Sequence, residues 1–303
     1  MQLTLPSFAK INWTLEILGK RSDGYHELRT LLQTISVADE LTFELLDQGI
    51  EVVCDHPDVP CDETNLVHRA ARLFADFTGI NKGIRITINK RIPTAAGLGG
   101  GSGNAAVTFI ALQKLWQKEL EPRDLFSLAA KLGADVPFFF VGGTCLGVGR
   151  GDEIYPLADI ETNNLLLVNA GILVPTREVY GALPPELTNP RAITKMPTSF
   201  EAAYAAVTTQ NEQIRLHNDL EPPVLARHGL LSEIKDRLKQ AGASGVLMSG
   251  SGSTIFAIFD SSEARNDAQS ELSQNGWWCA PARTLGRDEY QKIYRQALAD
   301  IQV

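Results

Sequence analysis

Residues 84–116 constrain the fold of this chain more than any other stretch. Ile84, Ile86 and Ile88 alternate with Arg85, Thr87 and Asn89, the period of two of a strand with one buried face. The sequence "PTAAGLGGGSGNAA" (93–106) follows, with five glycines between Gly97 and Gly103. A helix is predicted next, over "NAAVTFIALQKLWQ", with Ala105, Phe109, Leu112 and Trp116 on one stripe. Strand, glycine loop and helix in this order place unpaired backbone N–H groups, and the positive end of a helix dipole, at the loop. A glycine inside an element costs about 0.5–1 kcal/mol relative to alanine, so the cluster needs a use. Removing Cβ atoms lets a phosphate approach the N–H groups. The loop therefore reads as an anion cradle, with a nucleoside triphosphate as the expected occupant. No Gly-Lys-Ser/Thr closes it, so it is not a Walker A loop. No acidic residue ends a second strand about 20 residues on, so it is not a dinucleotide fingerprint.

The chain around the loop is mixed α and β. Ala9, Ile11, Trp13, Leu15 and Ile17 alternate with Lys10, Asn12, Thr14 and Glu16, which predicts a strand with Lys10 and Asn12 on its polar face. Ser22-Asp23-Gly24 is a turn signal. "ELTFELL" and "GIEVVCD" read as strands. Residues 64–78 read as a helix with Leu66, Ala70, Leu73 and Phe77 on its apolar stripe and Gly79 as its stop. Residues 124–132 give a short helix closed by Gly133, and Pro137 places Asp135 where that helix hands over to a strand. Beyond a boundary near 155–165, helices (199–208, 229–241, 287–301) alternate with strands "GVLMSG", "STIFAIF" and "WWCAPAR". The division expected is 1–158 and 159–303.

Composition excludes several classes. A net charge of −8 argues against a nucleic-acid surface. Four scattered cysteines without a CxxC pair argue against a zinc or disulfide framework. His56, His68, His217 and His228 share no metal-ligand spacing and read as structural or solvated. No apolar run reaches the 18–20 or so residues of a membrane span, and the opening lacks the order of a signal peptide. A cytoplasmic protein without a membrane or nucleic-acid partner, monomeric or weakly dimeric, is expected.

The motifs resemble those of the GHMP kinases. "PTAAGLGGGSGNAA" is similar to the family's second motif, roughly Pro-x-x-x-Gly-Leu-Gly followed after five residues by Ala, and "VLMSGSGSTIFAIF" is similar to its third. "SFAKINWTLEILGKRSDGYHEL", "KLGADVPFF" and "HNDLE" resemble one branch, whose acceptor is a cytidine diphosphate-linked methylerythritol. The matches run from residue 7 to 259. The resemblance implies an α+β two-domain GHMP kinase fold: a ribosomal protein S5 domain 2-like N-terminal domain that binds ATP, and a ferredoxin-like C-terminal domain. The substrate would lie in the cleft between them.

The resemblance also implies the site. Residues Pro93, Thr94, Ala95, Ala96, Gly97, Leu98, Gly99, Gly100, Gly101, Ser102 and Gly103 would hold ATP, with Asn65 on the adenine side. The family often has two serines where this chain has Ser102-Gly103, so Ser102 is the candidate magnesium contact. Asp135 would be the catalytic base and Lys10 the cation that stabilises charge. His26 would hydrogen-bond the cytosine edge, Tyr25 would flank the base and Tyr180 would stack on it. Asn12 and Thr176 are candidate polar contacts to the substrate. The turn Ser249–Ser253 would close the site near the phosphates. Homoserine or mevalonate kinase is the rival within the family; a nucleotide or metabolite sensor without catalysis is the rival outside it. Tyr25 and Tyr180 favour a base-bearing acceptor over other alcohols, and the presence of Lys10 and Asp135 argues against the sensor.

Overall fold

The computed structural model describes residues 2–188 and 215–301. The helix expected over 199–208 lies outside them. The chain opens as a long antiparallel hairpin of β1 (Gln2–Lys20) and β2 (His26–Leu46), turning at the predicted Ser22-Asp23-Gly24. The expected strand "ELTFELL" is only the far end of β2. The following elements are β3 (Ile50–Cys54), α1 (Leu66–Thr78), β4 (Gly83–Asn89), α2 (Gly100–Leu115), α3 (Pro122–Leu132), α4 (Phe138–Val141), β5 (Thr144–Gly149) and β6 (Glu153–Pro156). β2 is long enough to serve two partners on one edge. Its residues 40–46 pair with β4 and its residues 28–33 with β5.

The second half gives β7 (Leu165–Asn169), α5 (Thr176–Gly181), α6 (Pro185–Thr188), β8 (His217–Asn218), α7 (Glu221–Arg227) and α8 (Gly229–Gln240). It ends with β9 (Gly245–Met248), β10 (Ile255–Ile258), α9 (Ser262–Ser273), β11 (Trp278–Ala282) and α10 (Arg287–Ala299). Four of its strands form an antiparallel sheet in the order β11-β7-β10-β9, the ferredoxin-like arrangement. β7 is the apolar run "LLLVN" because both its faces are buried. Leu165 and Leu167 point toward the first sheet, while Leu166 and Val168 point toward the helices of the second half.

Two cores flank the first sheet. On one side α1, α2, α3 and α10 cover Leu3, Leu5, Leu41 and Phe43. On the other, Ala9, Ile11 and Trp13 meet Leu165, Leu167 and Phe256 of the second sheet, with Trp13 edge-on to Phe256 at 5.5 Å between ring centroids. β1 is thus buried on both faces through its middle, not on one as its alternation suggested. We propose to keep a boundary at 158/159 for the two sheets, with two returns across it. β8 pairs with β1, and α10 packs on the first core through Tyr290 and Tyr294, whose hydroxyls donate to Phe139 O (2.6 Å) and Pro6 O (2.8 Å).

Three local expectations change. The buried stripe of α1 is Val67, Ala70, Ala71 and Phe74, and Phe77 is exposed. Helix α2 begins at Gly100, inside the glycine run, and is buried almost all round. Asp135 leads not to a strand but to the short helix α4, because Pro137 takes helical dihedrals (φ −58, ψ −34) as its N-cap. Pro has no N–H to donate, so it suits a helix start as well as an extended segment.

One buried carboxylate anchors the segment between β4 and α2. Asp39, on β2, accepts from Lys90 Nζ (2.6 Å), Arg91 N (2.8 Å), Ile92 N (2.8 Å) and Asn104 Nδ2 (3.1 Å). Both charged side chains of the Asp39–Lys90 pair are almost fully buried. Removing one partner strands a buried charge, at a cost of about 3–5 kcal/mol. Asp39→Ala is therefore expected to lower unfolding free energy by about that amount in urea titration. A loss below about 1 kcal/mol would show that the loop is held elsewhere.

Candidate active site

The loop, the β1–β2 hairpin, the segment after α3 and the β9–β10 turn enclose one cavity of about 1570 Å³. At its centre is Lys10, whose side chain is 4% exposed. Its ammonium donates to Asn12 Oδ1 (2.8 Å) and Gly97 O (2.9 Å) and lies 3.6 Å from Asp135 Oδ2. Its backbone N donates to Leu98 O (2.9 Å). Strand β1 is therefore bolted to the glycine loop at one residue. Lys10 and Asn12 share a face, as the alternation requires. Both polar atoms of the Asn12 amide are engaged, since Nδ2 donates to Thr30 Oγ1 (2.7 Å). Asn12 holds Lys10 in place; its expected contact to substrate is left to the cavity edge it borders.

Residues 93–102 all border the cavity, but Gly103 does not. A Cβ at Gly103 would lie 2.9 Å from Ser7 Oγ and 3.0 Å from Phe8 O, so this glycine lets α2 pack on β1. Gly97, in a left-handed conformation (φ 74), would place a Cβ 2.1 Å from Ser249 O. Cβ atoms at Gly99 and Gly100 would press on Lys10 (3.0 Å) and on Lys90 Nζ (3.1 Å). Only Gly101 meets nothing closer than ordinary contact, 3.5 Å from Leu66 Cδ1. The expectation that the glycines clear space for a phosphate is thus joined by a second cause. Four of the five clear space for the protein itself.

The helix end that follows the loop has the chemistry an anion site needs. Gly99 caps α2 without a side chain, no acidic residue lies in the first turn, and Gly103 N makes the bond back to Gly99 O (2.8 Å). Gly100, Gly101 and Ser102 of the first turn line the cavity, at the positive end of a 16-residue helix. Ser102, at the cavity wall, has its hydroxyl 3.9 Å from where a Gly133 Cβ would stand, two residues before Asp135. The Asp135 side chain is 38% exposed and open to a ligand.

Turn 249–253 closes over Lys10. Ser249 Oγ donates to Gly97 O (3.0 Å), Thr254 N donates to Ala96 O (3.2 Å), and a Cβ on Gly250 would lie 3.1 Å from Lys10 Nζ. Asn218 holds the turn's start by donating to Met248 O and Gly250 O, each at 2.8 Å. Thr176 Oγ1 pairs with Ser251 Oγ (2.9 Å) at the rim, so it ties α5 to this turn.

The two ends of the cavity differ. At one end Asn65 is the N-cap of α1: its Oδ1 accepts from Val67 N (2.9 Å) and its Nδ2 donates to Pro60 O (2.6 Å). It shapes this wall, with Lys90 and Leu66 beside it. At the other end the His26 and Tyr180 rings lie 5.1 Å apart at 32°. His26 Nε2 is buried without a partner. Burial and the Lys20 charge push its imidazole below the ordinary histidine range, which keeps it neutral near pH 7 with one donor and one acceptor. Burial, with the Asp135 charge nearby, pushes the Tyr180 phenol up, so it stays protonated. Tyr25 is not beside Tyr180's ring in this pairing; it is 58% exposed, with the Arg150 guanidinium 5.1 Å from its ring centroid.

Sequence reasoning missed Asp39, Lys90 and Arg150. Lys90 and Arg91 stand just before the glycine loop, and a cation pair there was a usable signal. Asp39 gave none, since an acidic residue in "SVADEL" reads as an exposed turn. Among the described residues, no helix is long and apolar enough to cross a membrane, and no three His, Cys, Asp or Glu cluster to hold a metal.

Comparison with known proteins agrees with this arrangement. The model of the GHMP kinases N terminal domain matches residues 65–143, and that of the GHMP kinases C terminal matches residues 202–276. A 4-diphosphocytidyl-2-C-methyl-D-erythritol kinase of Syntrophus aciditrophicus is 41% identical over 276 residues, 91% of this chain and 96% of the relative. The enzyme of that name from Citrifermentans bemidjiense is 42% identical over 288 residues, 94% of this chain and 99% of the relative. A crystal structure of a 4-(cytidine 5'-diphospho)-2C-methyl-D-erythritol kinase is 37% identical and superposes with a TM-score of 0.78, covering 94% of this chain and 99% of that one. A homoserine kinase from Cytophaga hutchinsonii superposes with a TM-score of 0.69 at 19% identity, covering 95% and 96%, a likeness of fold. The chain belongs to the GHMP kinase family, in the branch of the 4-diphosphocytidyl-2-C-methyl-D-erythritol kinases.

Proposed function

We propose that the chain transfers the γ-phosphoryl group of ATP to the 2-hydroxyl of 4-diphosphocytidyl-2-C-methyl-D-erythritol, giving the 2-phosphate and ADP. This is a step of the non-mevalonate route to isopentenyl diphosphate. The observation that carries the reading is the placement of Lys10 and Asp135 3.6 Å apart between the α2 N-terminus and the His26–Tyr180 pair. The helix end receives the triphosphate, and the ring pair receives the base of the acceptor. The relatives' printed names supply the acceptor.

Asp135 is the base in this reading. Its carboxylate takes the hydroxyl proton as the acceptor oxygen bonds to the γ-phosphorus and the bond to the β–γ bridging oxygen breaks. The Lys10 ammonium is fixed by Asn12 and Gly97, so it neutralises charge at the transferred group without having to move. A buried, unpartnered His26 Nε2 suits a cytosine edge, which offers both a donor and acceptors.

The residues present fit magnesium carried by the nucleotide. The Ser102 hydroxyl and the Asp135 carboxylate border the cavity, no three His, Cys, Asp or Glu among the described residues cluster to cage the ion, and magnesium keeps most of its shell as water and phosphate oxygen. When bound there it supplies charge neutralisation on the phosphates. We assign Ser102 as the serine that faces it, because position 103 is turned into the β1 packing.

Asp135→Asn is expected to lower kcat by about 10²–10⁴-fold, with the ATP KM within about twofold of the parent in a coupled assay of ADP release. Near-parental turnover would remove Asp135 as the base. His26→Ala is expected to raise the acceptor KM by about tenfold and leave the ATP KM alone, the size of one buried hydrogen bond. An effect confined to ATP would place His26 at the wrong end of the cavity.

A further inference from the structure

We propose that Arg150 is a positioning residue for the acceptor, acting through the face of Tyr25. This rests on the reading of the acceptor end given above. Tyr25 sits on the β1–β2 turn with its ring 58% exposed. Its backbone N donates to Asp23 Oδ1 (3.0 Å), which fixes the turn but not the ring. An exposed aromatic ring on a turn is free to swing, and binding a base against it then costs the entropy of stopping that motion. Arg150 supplies what the turn lacks. Its guanidinium carbon lies 5.1 Å from the ring centroid, within the range of a cation–π contact.

The guanidinium is itself held from another hairpin. Arg150 Nε donates to Asp152 Oδ2 (3.1 Å), and Nη2 donates to the same oxygen. Asp152 is partly buried, with a side chain 14% exposed, so this anchor is stiffer than a fully exposed pair. The pairing of Leu28 with Gly149 sets the β5–β6 turn beside the start of β2, two residues from His26. Two separate turns thus deliver Tyr25 and Arg150 to the rim at which His26 and Tyr180 meet. With one ring face on the guanidinium, the other is left for the acceptor. Lysine cannot replace arginine here, because an ammonium neither lies flat on a ring nor makes a planar fork to Asp152.

The test compares Arg150→Met, Arg150→Lys, Tyr25→Ala and the Arg150→Met/Tyr25→Ala double variant in steady-state assays of ADP release. Arg150→Met is expected to raise the acceptor KM by about fivefold, with kcat and the ATP KM unchanged. Arg150→Lys is expected to recover less than half of that loss. In the Tyr25→Ala background, Arg150→Met is expected to add almost nothing. An unchanged KM in Arg150→Met overturns the proposal. So does full rescue by lysine, which would mean that charge alone matters. An equal effect in the Tyr25→Ala background also overturns it, since Arg150 would then touch the acceptor directly. The acceptor itself is checked by the parent chain alone. If that chain turns over a different alcohol, the functional reading fails, and the same variants assayed with that alcohol still decide the role of Arg150.

Discussion

The site depends on burying one lysine. An ammonium taken out of water is costly unless its hydrogen bonds are replaced. Lys10 replaces them mainly with neutral groups, the Asn12 amide at 2.8 Å and the Gly97 carbonyl at 2.9 Å. Its charged partner, Asp135, is farther away at 3.6 Å and partly exposed. This division matters for the chemistry. The two short bonds fix the cation whatever the aspartate does. Asp135 can therefore change its orientation without unseating the ammonium.

Holding Lys10 requires the second half of the chain as well. Gly97 O accepts from both Lys10 Nζ and Ser249 Oγ, so one carbonyl joins the two sheets. The motif "HNDLE" becomes intelligible at this point. Asn218 fastens the turn that begins at Ser249, and Asp219 Oδ2 accepts from Ile17 N (2.7 Å) on β1. A short parallel pairing of β8 with β1 at Thr14 and Leu15 sets both contacts. The motif places the lid of the site over Lys10 by gripping the strand that carries it.

Local patterns in the sequence revealed the strands and helices near the loop, the turn at Ser22-Asp23-Gly24 and the shared face of Lys10 and Asn12. The signals failed where two answers fit the same letters. Helix α1 has one apolar stripe through Leu66, Leu73 and Phe77 and another through Val67, Ala71 and Phe74. Contact of Phe74 with Phe109 and Trp116 across the helix pair turned the second inward. The first part of β2 escaped because both its faces are buried and carry Thr30, Gln33 and Thr34, so no alternation appears. Gln33 and Thr144 bond to each other there (2.6 Å), a pairing 111 residues apart that no local window contains. Asp39 was hidden for the same reason: its four donors come from residues 90–104.

The glycines show how one sequence signal can have more than one physical cause. Gly97, Gly99, Gly100 and Gly103 are required by contacts within the protein, whatever the helix end binds. The loop end of the cavity is consequently close-packed behind its surface. The opposite rim is built differently, from Tyr25, Arg150 and Thr176 on turns and a helix end. A side chain on a turn is exchanged without disturbing a core, whereas a glycine pressed against Ser249 O is not. The loop end of the cavity is the part that packing fixes, and the rim of Tyr25, Arg150 and Thr176 is the part that packing leaves free to vary.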